Sequence, residues 1–271
     1  MLLKWLGRLL LALFAALVLA PLAIVIITAF KTRPEFYADP LSLPAAWSFH
    51  NFAALFDGQP MWAYFRNSVI VTVSAVAAEL LIAGCIAYAI MRSGRRTGGA
   101  LFALFAAGLM VPSQVNMIPL YSLLQQLGWS NSLTALVLVT VSVLLPLSVF
   151  MLTGFMKTLP RELLEAGEID GAGHWTTLLR IVFPLSAPFL AATAAFLFVI
   201  VWNDLLFPML LINGKDKLTL PLALLRFRGE YITDYPLLLT GVVVTAVPIV
   251  ALFIFLQRYF VSGALAGSLK G

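Results

Sequence analysis

Four acidic residues and one histidine form the densest group of chemically reactive side chains in the sequence. Glu162, Glu165, Glu168 and Asp170 fall within nine residues, and His174 follows them. Paired carboxylates beside a histidine could serve a hydrolase or bind a metal ion. However, Glu165 and Asp170 are five positions apart, and the spacing matches neither H-E-x-x-H nor any other zinc pattern. We therefore predict no catalytic residue and no metal site.

Two further sequence features limit the chemistry of the chain. There is no G-x-x-x-x-G-K-[ST] loop to hold a nucleotide triphosphate. Any use of ATP must therefore belong to another subunit. The only cysteine, Cys85, lies inside an apolar run and can form no intrachain disulfide. We interpret it as a small core residue.

The composition is that of a membrane protein. The 271 residues are 62% hydrophobic and 11% charged, with a mean hydropathy of +1.00. Soluble domains are about half apolar and about a quarter charged. The net charge of +5 could suggest nucleic acid, but the basic residues form no stripe. Their largest cluster, Arg92, Arg95 and Arg96, lies between two apolar runs and is typical of a topology signal.

Six apolar segments are long enough to cross a bilayer, which takes ~20 residues. The first is longer than the apolar core of a secretory signal, so we interpret it as an anchor. We therefore predict an all-α membrane protein with a single transmembrane domain, residues 1–271. Its spans are about Leu9–Phe30, Ser68–Met91, Ala100–Tyr121, Leu133–Phe155, Ala187–Leu211 and Leu237–Leu256.

The distribution of basic residues predicts the orientation of these spans. The short loop Arg92–Gly99 carries three arginines, whereas Ser122–Ser132 carries no lysine or arginine. Because cytoplasmic loops are enriched in these residues, both termini are expected in the cytoplasm. The acidic group then lies in a cytoplasmic loop, at about residues 156–184.

The local pattern of this loop predicts a helix, a turn and a second short helix. Residues 161–170 are mostly good helix formers, and Gly171 is well placed to end the helix in a left-handed conformation. A second helix can follow from about His174 to Val182, and Pro184 marks the turn into the fifth span. The first helix has an uneven apolar side, which favours a partner protein over an anionic lipid surface. A merely solvated loop is the alternative.

The loop resembles the "EAA" loop of ABC importer permeases, EAA-x3-G-x9-I-x-L-P. The match runs from Glu165-Ala166-Gly167 through Gly171 to the segment Ile181–Pro184. Gly167 replaces the second alanine and Phe183 replaces the leucine. Glycine in a helix interior costs ~1 kcal/mol relative to alanine, so a softer helix is expected.

The resemblance extends over essentially the whole chain. Four ordered blocks are similar to the sugar-importing, MalG-like permeases: Val111–Leu136, Pro160–Pro188, Trp202–Ile212 and Gln257–Gly271. This implies the type I ABC importer permease fold in a bacterial or archaeal cell (inner) membrane. It also implies a homologous second permease, a dimer of cytoplasmic ATPase subunits and an extracytoplasmic solute-binding protein. ATP and Mg²⁺ would bind the ATPase, and this chain would hold no cofactor.

The same resemblance implies roles for individual residues. The EAA loop would be a coupling helix that docks on the ATPase, with Glu165 as the polar contact and Gly171 as the turn. The residues assigned to this loop are Glu165, Ala166, Gly167, Asp170, Gly171 and Pro184. The carboxyl tail after Tyr259 would reach between the two ATPase subunits. ATP binding would then switch the spans from inward- to outward-facing.

Polar residues inside the spans are further candidates. Gln114, Asn116, Trp202, Asn203 and Asp204 could face a central cavity and bind sugar, because sugars need hydrogen-bonding groups and aromatic faces. They could equally pack between helices or subunits.

Glu79 lies near the middle of the second span. An intramembrane acid is a candidate for function, or else a buried structural acid that is neutral or paired.

The leading hypothesis is the permease subunit of a sugar or oligosaccharide importer. The same machine could import a glycerol phosphate ester or a polyol. More distant alternatives are a stand-alone proton-coupled transporter that uses Glu79, or a non-transporting membrane scaffold.

Overall fold

The computed structural model describes residues 2–225 and 234–268, and the regular elements among them are all helical. This agrees with the predicted all-α class, since a backbone in lipid must satisfy its own hydrogen bonds. The α-helices are α1 (Leu2–Ala29), α2 (Arg33–Ala38), α3 (His50–Gly58), α4 (Met61–Arg92), α5 (Arg95–Gly108), α6 (Met117–Gln126), α7 (Leu133–Met156), α8 (Arg161–Ile169), α9 (His174–Thr177), α10 (Phe183–Leu185), α11 (Ala187–Trp202), α12 (Leu206–Leu211), α13 (Leu220–Leu224) and α14 (Tyr235–Ser268).

Four of these helices contain segments long and apolar enough to cross a membrane: Lys4–Ala29, Met61–Arg92, Leu133–Met156 and Tyr235–Gln257. Two sharply bent helix pairs raise the number of candidate spans to as many as six. The carboxyl tail is helical as far as Ser268. Residues 269–271, the end of the tail for which an ATPase contact is expected, lie outside the described part of the chain.

The third predicted span is broken rather than continuous. Helix α5 ends at Gly108, a 3-10 turn covers Ser113–Asn116, and α6 follows after a bend of 79°. Pro112 lies in the break and has no backbone N–H to continue a helical ladder. A proline inside an apolar span predicts a kink, and the observed change of direction is larger than a kink.

The fifth predicted span is also interrupted, because α11 ends at Trp202 instead of reaching Leu211. The side-chain amide of Asn203 donates back to the Val199 carbonyl at 2.8 Å. The Asp204 carboxylate accepts a hydrogen bond from the backbone N–H of Leu206 at 3.0 Å. Short polar side chains compete with the helical ladder in this way, so a new helix, α12, begins after them.

Internal contacts divide the chain into two compact units, and each has its own core. The first comprises residues 1–65 and 220–248. In it the buried Lys31 ammonium donates to the carbonyls of Asp39 and Pro40, both at 2.9 Å, and to the Ser42 hydroxyl at 3.2 Å. All three ammonium protons are used, which fixes the loop after α2 to the end of α1.

A capping box fixes the start of α2 in the same unit. The Thr32 hydroxyl accepts from the backbone N–H of Glu35, and the Glu35 carboxylate accepts from the backbone N–H of Thr32. The second Glu35 oxygen accepts from the Ala45 backbone N–H at 3.1 Å. The Thr32 hydroxyl also donates to the Glu35 carboxylate at 2.9 Å. The bonds that the carboxylate accepts, first from the Thr32 N–H, then from the Thr32 hydroxyl and then from the Ala45 N–H, lower the pKa of Glu35.

The second unit comprises residues 66–219 and 249–271. Its main cluster of buried apolar side chains joins the carboxyl half of α4 to α7 and to the segment after α9. The small residues Ala83 and Ala87 let α4 approach its neighbours closely. The larger members are Tyr88, Ile90, Val149, Leu152, Met156, Leu178 and Val182.

Asn131 joins the loop before α7 to the loop after α12. Its side-chain oxygen accepts from the backbone N–H groups of Asn213 at 3.2 Å and Gly214 at 2.9 Å. Its carbonyl accepts from the Lys217 ammonium at 2.8 Å. With a φ of 54°, Asn131 is the one non-glycine residue in the described ranges with a positive φ. Asparagine tolerates this conformation better than other residues.

We expect Asn131→Ala to destabilise the fold by about 2 kcal/mol or more. The substitution removes an acceptor shared by two N–H groups and places alanine in a left-handed conformation. Asn131→Asp keeps the acceptor and should retain most of the stability. Asn116→Ala, at an exposed position, is the control. Thermal unfolding of the purified protein tests this, and equal midpoints for Asn131→Ala and Asn116→Ala would contradict the role of Asn131.

Candidate functional site

Helix α8 ends at Ile169, and two residues later Gly171 adopts the left-handed conformation that the sequence predicts for the end of this helix. Gly171 has a φ of 73°, and the backbone N–H of Ala172 donates to the Gly167 carbonyl at 2.9 Å. This six-residue closure is the hydrogen bond of a Schellman motif. A Cβ at Gly171 would meet nothing within 4 Å, so glycine is required there by backbone conformation and not by space.

Gly167 lets α8 pack closely on the segment that follows it. Gly167 is buried, and a Cβ at this position would lie 2.7 Å from Cδ1 of Ile181. Ile181 belongs to the same motif, fourteen positions later in the sequence. Gly167, which replaces the second alanine of the EAA pattern, therefore has two effects. It lowers the helix propensity of α8, and it allows a closer contact with Ile181.

The segment after α9 contains a π-helical stretch, Leu178–Val182. The backbone N–H of Phe183 donates to the Leu178 carbonyl, five residues earlier. Helical turns then continue through Pro184 to Leu185, and the bend of 76° into α11 follows. Pro184 therefore lies in the first turn of α10, slightly before the bend that it was predicted to mark. A proline is tolerated in a first helical turn.

Phe183 anchors this segment to α4. A Cβ at Gly84 would lie 2.8 Å from Cε1 and Cζ of the Phe183 ring. The ring therefore occupies the space that any larger residue at position 84 would need. The phenylalanine that replaces the motif leucine and the glycine of α4 form one contact, and this contact ties the loop to a candidate membrane span.

Three acidic side chains of this loop lie on its surface. Glu162, Glu165 and Asp170 are exposed, and Ile169 has 86% of its surface exposed. Ala166 lies within α8. Among the described residues no group of three or more His, Cys, Asp and Glu side chains could hold a metal ion. The exposed face of α8 thus offers carboxylates and one large apolar side chain.

Glu165 also borders a cavity of about 850 Å³. Three basic side chains line the same cavity: Arg92, Arg95 and Lys157. The Lys157 ammonium lies 4.4 Å from the centroid of the Phe102 ring. The basic loop between α4 and α5 and the acidic α8 therefore meet at one cavity, an arrangement that sequence spacing alone could not reveal.

The structure brings together two of the predicted substrate-path residues. Gln114 and Asp204 line one cavity of about 150 Å³, with Thr140 of α7 as a further polar group. Asn116 is exposed and lies outside this cavity. Asn203 is exposed, and its side-chain amide donates a hydrogen bond to the Val199 carbonyl. Trp202 is buried and stacks on Phe198, with 5.4 Å between ring centroids.

Glu79 is fully buried in α4. The Ser148 side chain of α7 faces it, but the Ser148 hydroxyl donates to the Leu144 carbonyl at 3.2 Å. Neither carboxyl oxygen has a hydrogen-bond partner among the described residues. Glu79 lines neither the cavity at α8 nor the Gln114–Asp204 cavity.

Comparison with known proteins identifies the family. Residues 80–264 match the family described as "Binding-protein-dependent transport system inner membrane component". The chain belongs to this family. This assignment agrees with the resemblance of the EAA loop and makes the chain a membrane-spanning ABC transporter permease.

Individual relatives match this permease over nearly its whole length. The diacetylchitobiose uptake system permease protein NgcG of Streptomyces coelicolor is 34% identical, covering 96% of this chain and 87% of the relative. The arabinooligosaccharides transport system permease protein AraQ of Halalkalibacterium halodurans is 33% identical, covering 99% and 97%. A bacterial ABC transporter structure for alginate import shares the fold, with a TM-score of 0.83, 18% identity and 96% of each chain covered.

Three features of the site were not predicted from the sequence. They are the partners Gly84 and Ile181 and the π-helical stretch. A glycine in an apolar span signals a close approach in general terms, but nothing in its neighbourhood identifies Phe183 as the approaching group.

We expect Gly84→Ala to destabilise the permease by about 1–3 kcal/mol, because the rigid Phe183 ring leaves no room for a methyl group. The double variant Gly84→Ala/Phe183→Leu should recover most of the loss, since leucine lacks the ring atoms in contact. Gly99→Ala in α5 is the matched control, because a Cβ there meets nothing within 4 Å. Unfolding of the parent, the single variants Gly84→Ala and Phe183→Leu, and the double variant gives the coupling energy, and additive effects would exclude the contact.

Proposed function

We propose that this chain is the permease subunit of an importer for a sugar or oligosaccharide that a solute-binding protein delivers. It pairs with a homologous second permease, and a dimer of ATPase subunits drives it through the EAA loop. The names of its relatives support the substrate class, since they include uptake systems for diacetylchitobiose and arabinooligosaccharides. The alginate importer with a similar fold has also been crystallised with a periplasmic protein that carries an alginate pentasaccharide.

The anchored geometry of the loop is the observation that carries the proposal. The exposed face of α8 is free for a partner protein, while its buried face is seated through Gly167 on Ile181. The same segment is fixed to α4 by Phe183 and Gly84. A force on α8 therefore passes through packed side chains to a membrane span. Closed packing of this kind moves as a body, as a coupling lever requires.

The cavity lined by Gln114 and Asp204 is the proposed contribution of this chain to the substrate path. An amide, a carboxylate and the Thr140 hydroxyl offer both donors and acceptors to sugar hydroxyls. A volume of about 150 Å³ is smaller than a typical small-molecule site of ~300–1,000 Å³. The second permease would supply the remainder of an oligosaccharide site.

The side chains of this cavity favour a neutral sugar over a glycerol phosphate ester. Asp204 lines it, and no lysine or arginine is among its lining residues. The cavity therefore offers no counter-charge to a phosphate group, whereas its polar side chains can exchange hydrogen bonds with sugar hydroxyls. A proton-coupled mechanism through Glu79 receives no support, because Glu79 lines neither this cavity nor the one at α8.

We expect Gly171→Val to abolish transport and to weaken recovery of the ATPase with the permease. A β-branched residue disfavours a φ of 73°, so the turn that ends α8 must change. Gly173→Val is the matched control. Gly173 lies two residues away with a φ of −69°, and a Cβ there meets nothing within 4 Å.

Both variants should reach the membrane in similar amounts. Transport assays and co-purification of the ATPase provide the two measurements. Normal transport and normal ATPase recovery by Gly171→Val would argue against a coupling role for this loop.

For the substrate path, we expect Gln114→Ala to raise the KM for the transported sugar by up to about tenfold, because losing one hydrogen bond to substrate costs ~1.4 kcal/mol or less. Asn116→Ala, two residues away and outside the cavity, should leave KM unchanged. Uptake into cells with the complete transporter measures both values. Equal KM values for the two variants would remove Gln114 from the path without affecting the coupling assignment.

A further inference from the structure

Residues 40–56 form a connecting segment with an apolar surface. The segment covers the loop after α2 and most of α3, and it contains no aspartate, glutamate, lysine or arginine. Several of its large apolar side chains have more than half of their surface exposed, namely Leu41, Leu43, Trp47 and Phe49. Exposed apolar surface of this kind marks a site that binds either another protein or a membrane.

Aromatic contacts and one amide fix this segment to the end of α1. The ring of Phe30, the residue directly after α1, lies 5.4 Å from the Trp47 ring and 5.3 Å from the Phe49 ring, measured between centroids. The Asn51 side-chain amide donates to the Ala29 carbonyl at 2.9 Å. This carbonyl is among those that a helix end leaves without an intrahelical partner. Trp47 and Phe49 are therefore held at the level where α1 ends.

Charged residues on both sides of the apolar part of α1 show where that level lies in a bilayer. Arg8 and Arg33 are exposed, and residues 9–29 carry no charge. At 1.5 Å per residue, these 21 residues span about 32 Å, close to the ~30 Å of the hydrocarbon core. Because an exposed arginine is costly in hydrocarbon, nearly the whole apolar stretch is needed to cross it. Phe30 therefore lies close to the boundary of the hydrocarbon.

A second candidate span reaches the same level. Its segment, Tyr235–Gln257, begins directly after the charged residue Asp234 and contains no charged residue itself. Near the start of this span, the Thr240 hydroxyl donates to the Ala29 carbonyl at 3.2 Å. The end of α1 and the beginning of α14 thus meet on the same side of the bilayer. Two spans, each with a charged residue just beyond it, therefore place the aromatic contacts of Phe30 at the membrane boundary.

We propose that residues 40–56 lie in the interface of the lipid bilayer, with the Trp47 and Phe49 rings inserted between headgroups and acyl chains beside the end of α1. Tryptophan favours this layer because its ring is apolar while its N–H still reaches a polar partner. The segment holds the connection between α1 and α4 at a fixed height on the membrane. A soluble partner protein is disfavoured as the occupant, because it would have to enter the layer in which Phe30 meets the hydrocarbon.

Tryptophan fluorescence tests the position of Trp47 in the permease reconstituted with the subunits that co-purify with it. The Trp47 signal is the difference between the parent protein and Trp47→Phe, which keeps an aromatic ring. We expect phosphatidylcholine brominated near the headgroup end of its acyl chains to quench this signal at least about twofold more than phosphatidylcholine brominated near the chain ends, because tryptophan favours the headgroup level. Aqueous iodide should quench the same signal only weakly.

Asn51→Ala removes the amide that fixes the segment to α1, so it should reduce the lipid quenching of Trp47 by roughly half. His50→Ala, at the exposed neighbouring position, is the matched control and should leave this quenching unchanged. In each variant, the additional substitution Trp47→Phe supplies the difference signal.

Strong quenching by iodide without quenching by brominated lipid would overturn the proposal, because the segment would then face water. Quenching by neither agent would also overturn it, because another protein would then cover Trp47. Stronger quenching by bromine at the chain ends would place the ring in the hydrocarbon instead of the interface. An equal loss in Asn51→Ala and His50→Ala would contradict the attachment through Asn51.

Discussion

The close contact of two glycines with two bulky side chains is the constraint on which the functional part of this permease depends. Gly167 accommodates Ile181, and Gly84 accommodates Phe183. Neither contact is strong by itself, because dispersion between a few atoms contributes only tenths of a kcal/mol. Their importance is geometric. They bring α8, the π-helical stretch and α4 into one packed body, so that the partner-facing helix cannot move without the membrane span.

Polar side chains end or join helices at several points in the same unit. Asp204 starts α12 after the break at Asn203, and Asn131 fixes the loop that follows α12. Such breaks cost backbone hydrogen bonds, and in lipid they are tolerated only where protein or a water-filled cavity covers them. The break at Asp204 lies beside the Gln114 cavity. The Asp204 carboxylate therefore has two roles. It caps the start of α12, and its remaining surface lines the cavity of the proposed substrate path.

Local features of the loop could be predicted from the sequence, and tertiary ones could not. The termination of α8 just before Gly171 follows from the left-handed preference of glycine, which requires no knowledge of distant residues. The partners of Gly167 and Gly84 depend on how helices cross, and a single sequence does not encode that in any local pattern. Hydropathy identified the third and fifth apolar segments but averaged across Pro112 and Asn203. Hydropathy alone therefore does not reveal the size of the bend at Pro112 or the end of α11 before Asn203.

The π-helical stretch has a consequence for the helix that follows it. A π turn holds one residue more than an α turn, so refolding Leu178–Val182 as α-helix would shift all later residues by one position. In an α-helix one position corresponds to a rotation of about 100° and a rise of 1.5 Å. Phe183, the first residue beyond the stretch, is held against Gly84 and opposes this shift. The Phe183 ring, which connects the loop to α4, therefore also fixes the rotation of α11 about its own axis. This rotation determines the direction in which α11 presents its side chains.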